Sequence, residues 1–266
     1  MTQHAFASFK QNQRKSWSLF APLEPLTTLS AARLVDFAGV RIGEKILDVG
    51  CGTGVVALTA ARFGAQIVGI DLCPDLVARA HGNARLAGVE ATFLEGDVEG
   101  MPFEDATFDR VFSQFGHMFA PRPEVATAQM LRVLKPGGVL AFATWPPSEF
   151  VGQVFALVGR FAPLLEGVSP PTLWGDKDFI AQHLEGSVQD IVFEEGIMQF
   201  PALSLAHYRA SAEATLGPLK SFVENPHTDP RDLHAFRTEL QELASRYFEH
   251  NHMRQVYLMT RAVKGS

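Results

Sequence analysis

The sequence holds only two cysteines, Cys51 and Cys73, in 266 residues. Two thiols cannot build a disulfide framework, so a reducing compartment, the cytoplasm, is the expected working place. No uncharged apolar run reaches the roughly 18–20 residues of a membrane-spanning helix. The opening residues, MTQHAFASFKQNQRKSW, lack the apolar core of a signal peptide. Positive charge is not in surplus: 23 Lys and Arg against 29 Asp and Glu leave a net charge of −6. Arg14-Lys15 is the only adjacent basic pair, so a general surface for nucleic-acid phosphates is not encoded. Repeats and low-complexity tracts are missing too. What remains is a chain that is 47% hydrophobic and of a length that suits one α/β domain with insertions.

The most informative stretch present is ILDVGCGTG, residues 46–54, followed by Asp71 at the end of the next apolar run. Ile46, Leu47 and Val49 read as a short buried strand running into three glycines and an apolar helix, 55–63. Glycine turns let backbone approach a ligand closely, and an acid at the tip of the second strand is placed to take ribose hydroxyls. The glycines alternate as G-x-G-x-G, with Val55 where a dinucleotide fingerprint has its distal glycine. Asp48 stands just ahead of them. A carboxylate there repels phosphate and attracts an amine or sulfonium, so the local chemistry favours a cationic, ribose-bearing ligand. The competing reading of Asp48 is a plain turn cap.

Strands and helices alternate through the first half: strands at 66–71, 91–94, 109–114 and 138–144, helices at about 75–87 and 124–134. That pattern predicts a mostly parallel sheet with helices on both faces. Ligands in such sheets sit at the carboxyl ends of the strands, where strand order reverses. Asp48, Asp71, Asp97 and Gln114 all fall at or just past strand ends.

Residues 40–145 resemble the class I S-adenosylmethionine-dependent methyltransferases, most of all their ubiquinone/menaquinone-biosynthesis-type (methyltransferase type 11-like) branch. The pieces in register are ILDVGCGTG, VGIDLC (68–73), FLEGDVEGMPFEDATFD (93–109), VFSQFGHMF (111–119) and LRVLKPGGVLAFATW (131–145). The resemblance implies a Rossmann-like α/β fold with a seven-stranded, mostly parallel sheet. It implies S-adenosyl-L-methionine as cofactor and S-adenosyl-L-homocysteine as product. Gly50, Gly52 and Gly54 would line the methionine portion and ribose, with Asp48 near the amino group. Asp71 would take the ribose hydroxyls and Leu72 the adenine face. Asp97 would accept from the adenine amino group beside the Val98 N–H, and Gln114 would lie near the methyl. Asp97 and Gln114 have competing readings as a turn acid and a buried structural amide. Cys51 reads as a small residue that fits the loop.

Beyond 145, the family's remaining helix is expected at 177–184 and its last two strands near 188–200 and 256–263. Two surplus segments remain, 146–175 and 202–250. The second holds an amphipathic helix at about 230–250, with Leu233, Phe236, Leu240, Leu243 and Tyr247 at helical spacing after Asp229-Pro230. With residues 1–39 as an N-terminal cap, these insertions predict a helical lid over the 40–145 core. A lid suits a small-molecule acceptor, with Trp17, Phe20, His117, Met118, Trp145, Phe150, His207 and Tyr208 as candidate pocket residues.

The implied reaction is in-line displacement of a methyl from sulfur, with the protein supplying binding and alignment. A base is needed only for a weakly acidic acceptor, and no base motif is evident; His117, just past the fourth strand, is the first candidate. His250 and His252 lack a third ligand, so no metal site is expected. SQFG (113–116) stands where nucleic-acid amino methyltransferases carry Asn/Asp-Pro-Pro-aromatic. Rival readings are an NAD(P)-dependent oxidoreductase, another transfer from the same cofactor, and a non-catalytic module that binds it.

Overall fold

The computed structural model describes residues 3–265. Two helices come first, α1 (Gln3–Trp17) and α2 (Glu24–Ala38), the latter closed by Gly39 in the left-handed conformation, φ 67°. The alternating half follows as β1 (Lys45–Val49), α3 (Val55–Arg62), β2 (Gln66–Asp71), α4 (Pro74–Ala87), β3 (Thr92–Glu95), β4 (Phe108–Gln114), α5 (Pro123–Val133) and β5 (Leu134–Thr144). Each matches an expected element within a few residues. β5 starts four residues early because Lys135-Pro136-Gly137-Gly138 stays in the strand as a bulge. The register against β4 jumps from Phe108↔Leu134 to Arg110↔Val139, and Gly137 sits at φ 73°.

The second half holds α6 (Phe150–Phe161), α7 (Lys177–Leu184), β6 (Val188–Pro201), α8 (Leu205–Thr215), α9 (Gly217–Val223), α10 (Pro230–Ser245), β7 (Phe248–Glu249) and β8 (His252–Lys264). Strand order is β3-β2-β1-β4-β5-β8-β6, with β1 to β5 parallel and β8 antiparallel to both its neighbours. The order reverses at β1, between β2 and β4, and so places a crevice at the carboxyl ends of these strands.

The sheet has eight strands rather than seven because the two-residue β7 folds back on β8. His250 and Asn251 are the turn of that hairpin, with φ 45° and 61°. Two adjacent positive-φ residues are the signature of a two-residue hairpin turn, which also ends α10 at Ser245 instead of near 250.

Two hydrophobic clusters divide the packing. The larger joins both faces of the sheet, with Leu47, Val111 and Ala141 fully buried. The smaller is built by α6, α8, α9 and α10 around Phe150, Phe236 and Leu240, with Phe200 and Met253 from the ends of β6 and β8. The amphipathic stripe of α10 faces this second cluster, as its spacing predicts. Among the described residues, no helix is long and apolar enough to cross a membrane.

Candidate active site

The turn after β1 is pinned from below. The N–H groups of Gly50 and Cys51 both donate to the Ile70 carbonyl at the end of β2, at 2.8 and 3.1 Å. Gly50, Gly52 and Gly54 take φ of 64°, 54° and 85°, where an L side chain is strained. Their surroundings differ. A Cβ on Gly52 would meet open space, while one on Gly50 would lie 2.8 Å from the Gly116 Cα. The backbones ending β1 and β4 therefore touch. At Gly54 the Cβ would strike Phe93 and Ala80 at 3.0 and 3.3 Å. Its smallness serves the packing of α3 and α4 on the sheet.

A cavity of about 220 Å³ opens at these strand ends, and a smaller one of about 40 Å³ adjoins it beside the glycine turn. Gly50, Gly52, Gln114 and Phe115 line both. Asp48 is 1% exposed and borders the small cavity. Its Oδ2 accepts from the Ala57 N–H at 3.0 Å, capping α3, while its Oδ1 has no partner. The cap and the ligand readings of Asp48 thus both hold a piece of it. Burial pushes its carboxyl up to about 8, with the Asp71 charge adding to the rise.

Two further orphaned atoms border the same small cavity: Thr53 Oγ1 and Gln114 Oε1. The Gln114 amide is oriented by its Nε2 donating to the Thr27 carbonyl at 3.1 Å, which leaves the oxygen free. Three unpartnered oxygens around one pocket match a group with three N–H donors, which is an ammonium.

Asp71, 9% exposed, accepts from the Gly52 N–H and the Cys73 N–H, both at 2.8 Å. The pair fixes its carboxylate at the cavity wall with lone pairs to spare. Burial raises its affinity for a proton and the two N–H bonds oppose that. Leu72, Asp97 and Val98 line the same wall. Asp97 Oδ1 accepts from the Glu99 N–H at 2.9 Å, and its Oδ2 pairs with Lys10 of α1 at 2.6 Å. Lys10 also pairs with the buried Glu99, which Arg122 holds from the other side. α1 is tied down further by Gln13 on the Phe119 carbonyl, Arg14 on Glu95, and the Cys73 thiol on the Arg14 carbonyl.

Sequence reasoning missed Lys10, because its partners lie 87 and 89 residues away. It also missed Phe115 and Gly116, whose signal was the glycine two residues past the fourth strand. Phe115 sits at φ 55°, a strained conformation of the kind that clusters at functional sites. Its ring stacks on Trp145, centroids 4.1 Å apart and planes 8° apart, and both border the cavity.

Of the expected pocket aromatics, Trp17, Phe20, Trp145 and Tyr208 line the cavity, as does His117. Met118 and Phe150 are fully buried elsewhere, and His207 is exposed, its Nδ1 2.8 Å from the Ser204 hydroxyl that caps α8. His117 does not suit the role of base. Its ring lies edge-on between Phe142 and Trp174, neither ring nitrogen has a partner, and burial pushes its pKa down to about 3. A base that weak has little pull on the proton it would have to take at neutral pH. Burial likewise raises the Cys51 thiol well above its ordinary range, in keeping with a packing role.

Comparison with known proteins agrees with this geometry. Residues 47–142 match a family described as a methyltransferase domain. An uncharacterized protein of Mycobacterium tuberculosis, Rv1403c, is 30% identical over 248 residues, covering 92% of this chain and 88% of that one. The demethylmenaquinone methyltransferase of Thermus thermophilus is 39% identical over 117 residues, 43% of this chain and 53% of its own. The crystal structure of the YcgJ protein of Bacillus subtilis superposes with a TM-score of 0.60 at 18% identity, covering 89% of this chain and 98% of that one. Strand order, glycine turn and sequence likeness converge on one conclusion: the chain belongs to the class I S-adenosylmethionine-dependent methyltransferases, in their ubiquinone/menaquinone-biosynthesis-type (methyltransferase type 11-like) branch.

Proposed function

We propose that the protein transfers a methyl group from S-adenosylmethionine to a small-molecule acceptor enclosed beneath α1 and the lid of α6 and α8–α10. The observation that carries the cofactor assignment is the set of orphaned oxygens, Asp48 Oδ1, Thr53 Oγ1 and Gln114 Oε1, around one small cavity. Leaving buried acceptors unpaired costs about 1–3 kcal/mol each, a cost removed when the methionine ammonium of the cofactor arrives. A dinucleotide presents pyrophosphate instead, which has no N–H donors to offer these three oxygens.

The remaining roles follow from position. Asp71 holds the ribose hydroxyls through the lone pairs left by Gly52 and Cys73. Leu72 and Val98 border the adenine, and Asp97 accepts from its amino group while Lys10 closes over the edge. Gly50 and Gly52 let the turn approach the ligand without side chains. When bound, the cofactor supplies an electrophilic methyl on a sulfonium. The Phe115–Trp145 stack offers ring faces to such a cation, a contact worth roughly 0.5–2 kcal/mol. The lid excludes water and aligns the acceptor for in-line attack. His117 does not serve as a base in this reading.

We read 1–39 as the cap, 40–145 as the cofactor-binding core, and 146–266 as the remaining core and lid. Two buried, unpaired cysteines fit work in the cytoplasm. The deciding experiment is calorimetric titration with S-adenosylhomocysteine, with NADH as control. Binding of the first alone is expected; binding of NADH alone would sink the proposal.

A further inference from the structure

The end of the cavity away from the glycine turn carries few polar groups, and two of them are unpaired. Gln255 lies on β8 opposite Met198 of β6. Its neighbours on the same strand face, Met253 and Tyr257, are apolar or aromatic and buried. Gln255 itself is 5% exposed and lines the cavity, and its side-chain amide meets no hydrogen-bond partner among the described residues.

Two residues along β6 from Met198, Phe200 meets the ring of Tyr208 edge-on, centroids 5.4 Å apart. Tyr208 is 2% exposed and lines the same cavity, and its hydroxyl is also without a partner among the described residues. Burial raises its pKa, so the phenol stays an O–H donor at neutral pH. Charge is kept away from this end. Lys10, Asp71 and Asp97 belong to the wall around the glycine turn and β3, each already paired, and His117 is neutral.

Resting on the methyltransferase reading above, we propose that the acceptor is an uncharged, mostly apolar molecule bearing one hydroxyl or carbonyl, and that Tyr208 and Gln255 together hold that group. Tyr208 donates to it; the Gln255 amide donates or accepts as the group requires. Phosphorylated and ammonium-bearing acceptors are disfavoured, because no opposite charge awaits them there.

The test uses the full chain saturated with S-adenosylhomocysteine and three probes of one shape: 2-naphthol, naphthalene and 2-naphthalenesulfonate. Binding of S-adenosylhomocysteine is measured first, and its failure would remove the methyltransferase reading rather than this one. With the cofactor product bound, 2-naphthol is expected to bind about tenfold or more tighter than either other probe, since a site built to hydrogen-bond a hydroxyl rejects analogues without it. Gln255→Leu and Tyr208→Phe should each cut that preference severalfold and leave naphthalene binding unchanged. Gln255→Leu should also melt no lower than the parent protein, which a structural amide would not allow. Equal affinity for 2-naphthol and naphthalene, preference for the sulfonate, no binding of 2-naphthol at millimolar concentration, or a preference that survives both substitutions overturns the proposal.

Discussion

The two ends of the cavity are built in opposite ways. At the glycine turn, polar groups come from the tips of β1, β2 and β4 and from the turn after β3. They are held by backbone: Asp48 by Ala57, Asp71 by Gly52 and Cys73, Asp97 by Glu99. At the far end, side chains from α6, α8, β6 and β8 meet across the lid, mostly apolar, with no backbone turn dedicated to a ligand. The first construction fixes one ligand geometry, because peptide groups cannot be exchanged. The second can change its occupant by substitution without disturbing the sheet. A family that keeps one cofactor and varies its acceptor needs that division.

If the division is real, damage to the lid should leave the cofactor end working. Phe236, fully buried between Phe161 and Phe222, is the sharpest place to ask. Phe236→Ala should destabilise the protein by about 3–5 kcal/mol, read as a fall in melting temperature of roughly 6 °C or more. Affinity of the still-folded protein for S-adenosylhomocysteine should stay within about threefold of the parent value. A collapse of that affinity would mean the two ends fold as one unit.

The opposite lesion is Asp71→Asn. It keeps the shape but removes the charge and weakens the bonds to Gly52 and Cys73. Affinity for S-adenosylhomocysteine should drop by about 100-fold, near 2.7 kcal/mol, while binding of an apolar probe at the far end is unchanged. Calorimetry with both ligands checks it.

That asymmetry also explains what could be read beforehand. The strands 46–49, 66–71 and 109–114 and the acids Asp48, Asp71 and Asp97 were visible because each sits inside a short local motif. For Gly54 the sequence shows that a glycine is required, and the fold adds that Phe93 and Ala80 stand where a side chain would go. α6 escaped because the prolines and aromatics of 146–175 masked a helix whose apolar positions, Phe150, Val154, Leu157 and Val158, do step at helical spacing. Tyr208 was expected in the pocket, but nothing in the sequence joined it to Gln255, which escaped for a deeper reason. Each is an ordinary residue in an ordinary element, and only the β6–β8 register and the packing of α8 on Phe200 bring them to one cavity.

Asp48 gives a pH signature confined to the cofactor end. Its pKa is about 8 in the fold against 3.8 ordinarily. The folded protein therefore holds the extra proton between those values, and the stability Asp48 contributes is lost as pH rises toward 8. Asp48→Asn removes that slope, so the melting temperature of the variant should gain on the parent as pH climbs from 5 to 9. Cofactor binding should show the reverse. Meeting an ammonium returns Asp48 to its carboxylate, so S-adenosylhomocysteine should release up to one proton at pH 7, seen as buffer-dependent heat. The variant should lose that release and bind about tenfold more weakly at pH 8, near 1.4 kcal/mol. Buffer-independent heat in the parent protein would remove the ammonium assignment.

The smallest effect probes the seam between the two ends, where α1 crosses. Lys10→Met removes the pairs to Asp97 and Glu99 but keeps the length of the side chain, and Glu99 retains Arg122. Because Arg122 leaves the buried Glu99 charge paired, the loss should stay at about 1 kcal/mol and the melting temperature should fall by only about 2–4 °C. The kinetics carry the information. If Lys10 latches the cap, both association and dissociation of S-adenosylhomocysteine should quicken by about three- to fivefold, with the affinity nearly constant. Trp17 lines the cavity and packs on Phe119 at 4.5 Å, so its fluorescence reports the change in stopped flow. Were Lys10 instead competing with the adenine for Asp97, its removal would tighten binding and leave dissociation no faster. The direction of the dissociation rate alone separates a latch from a competitor, because only a latch slows escape.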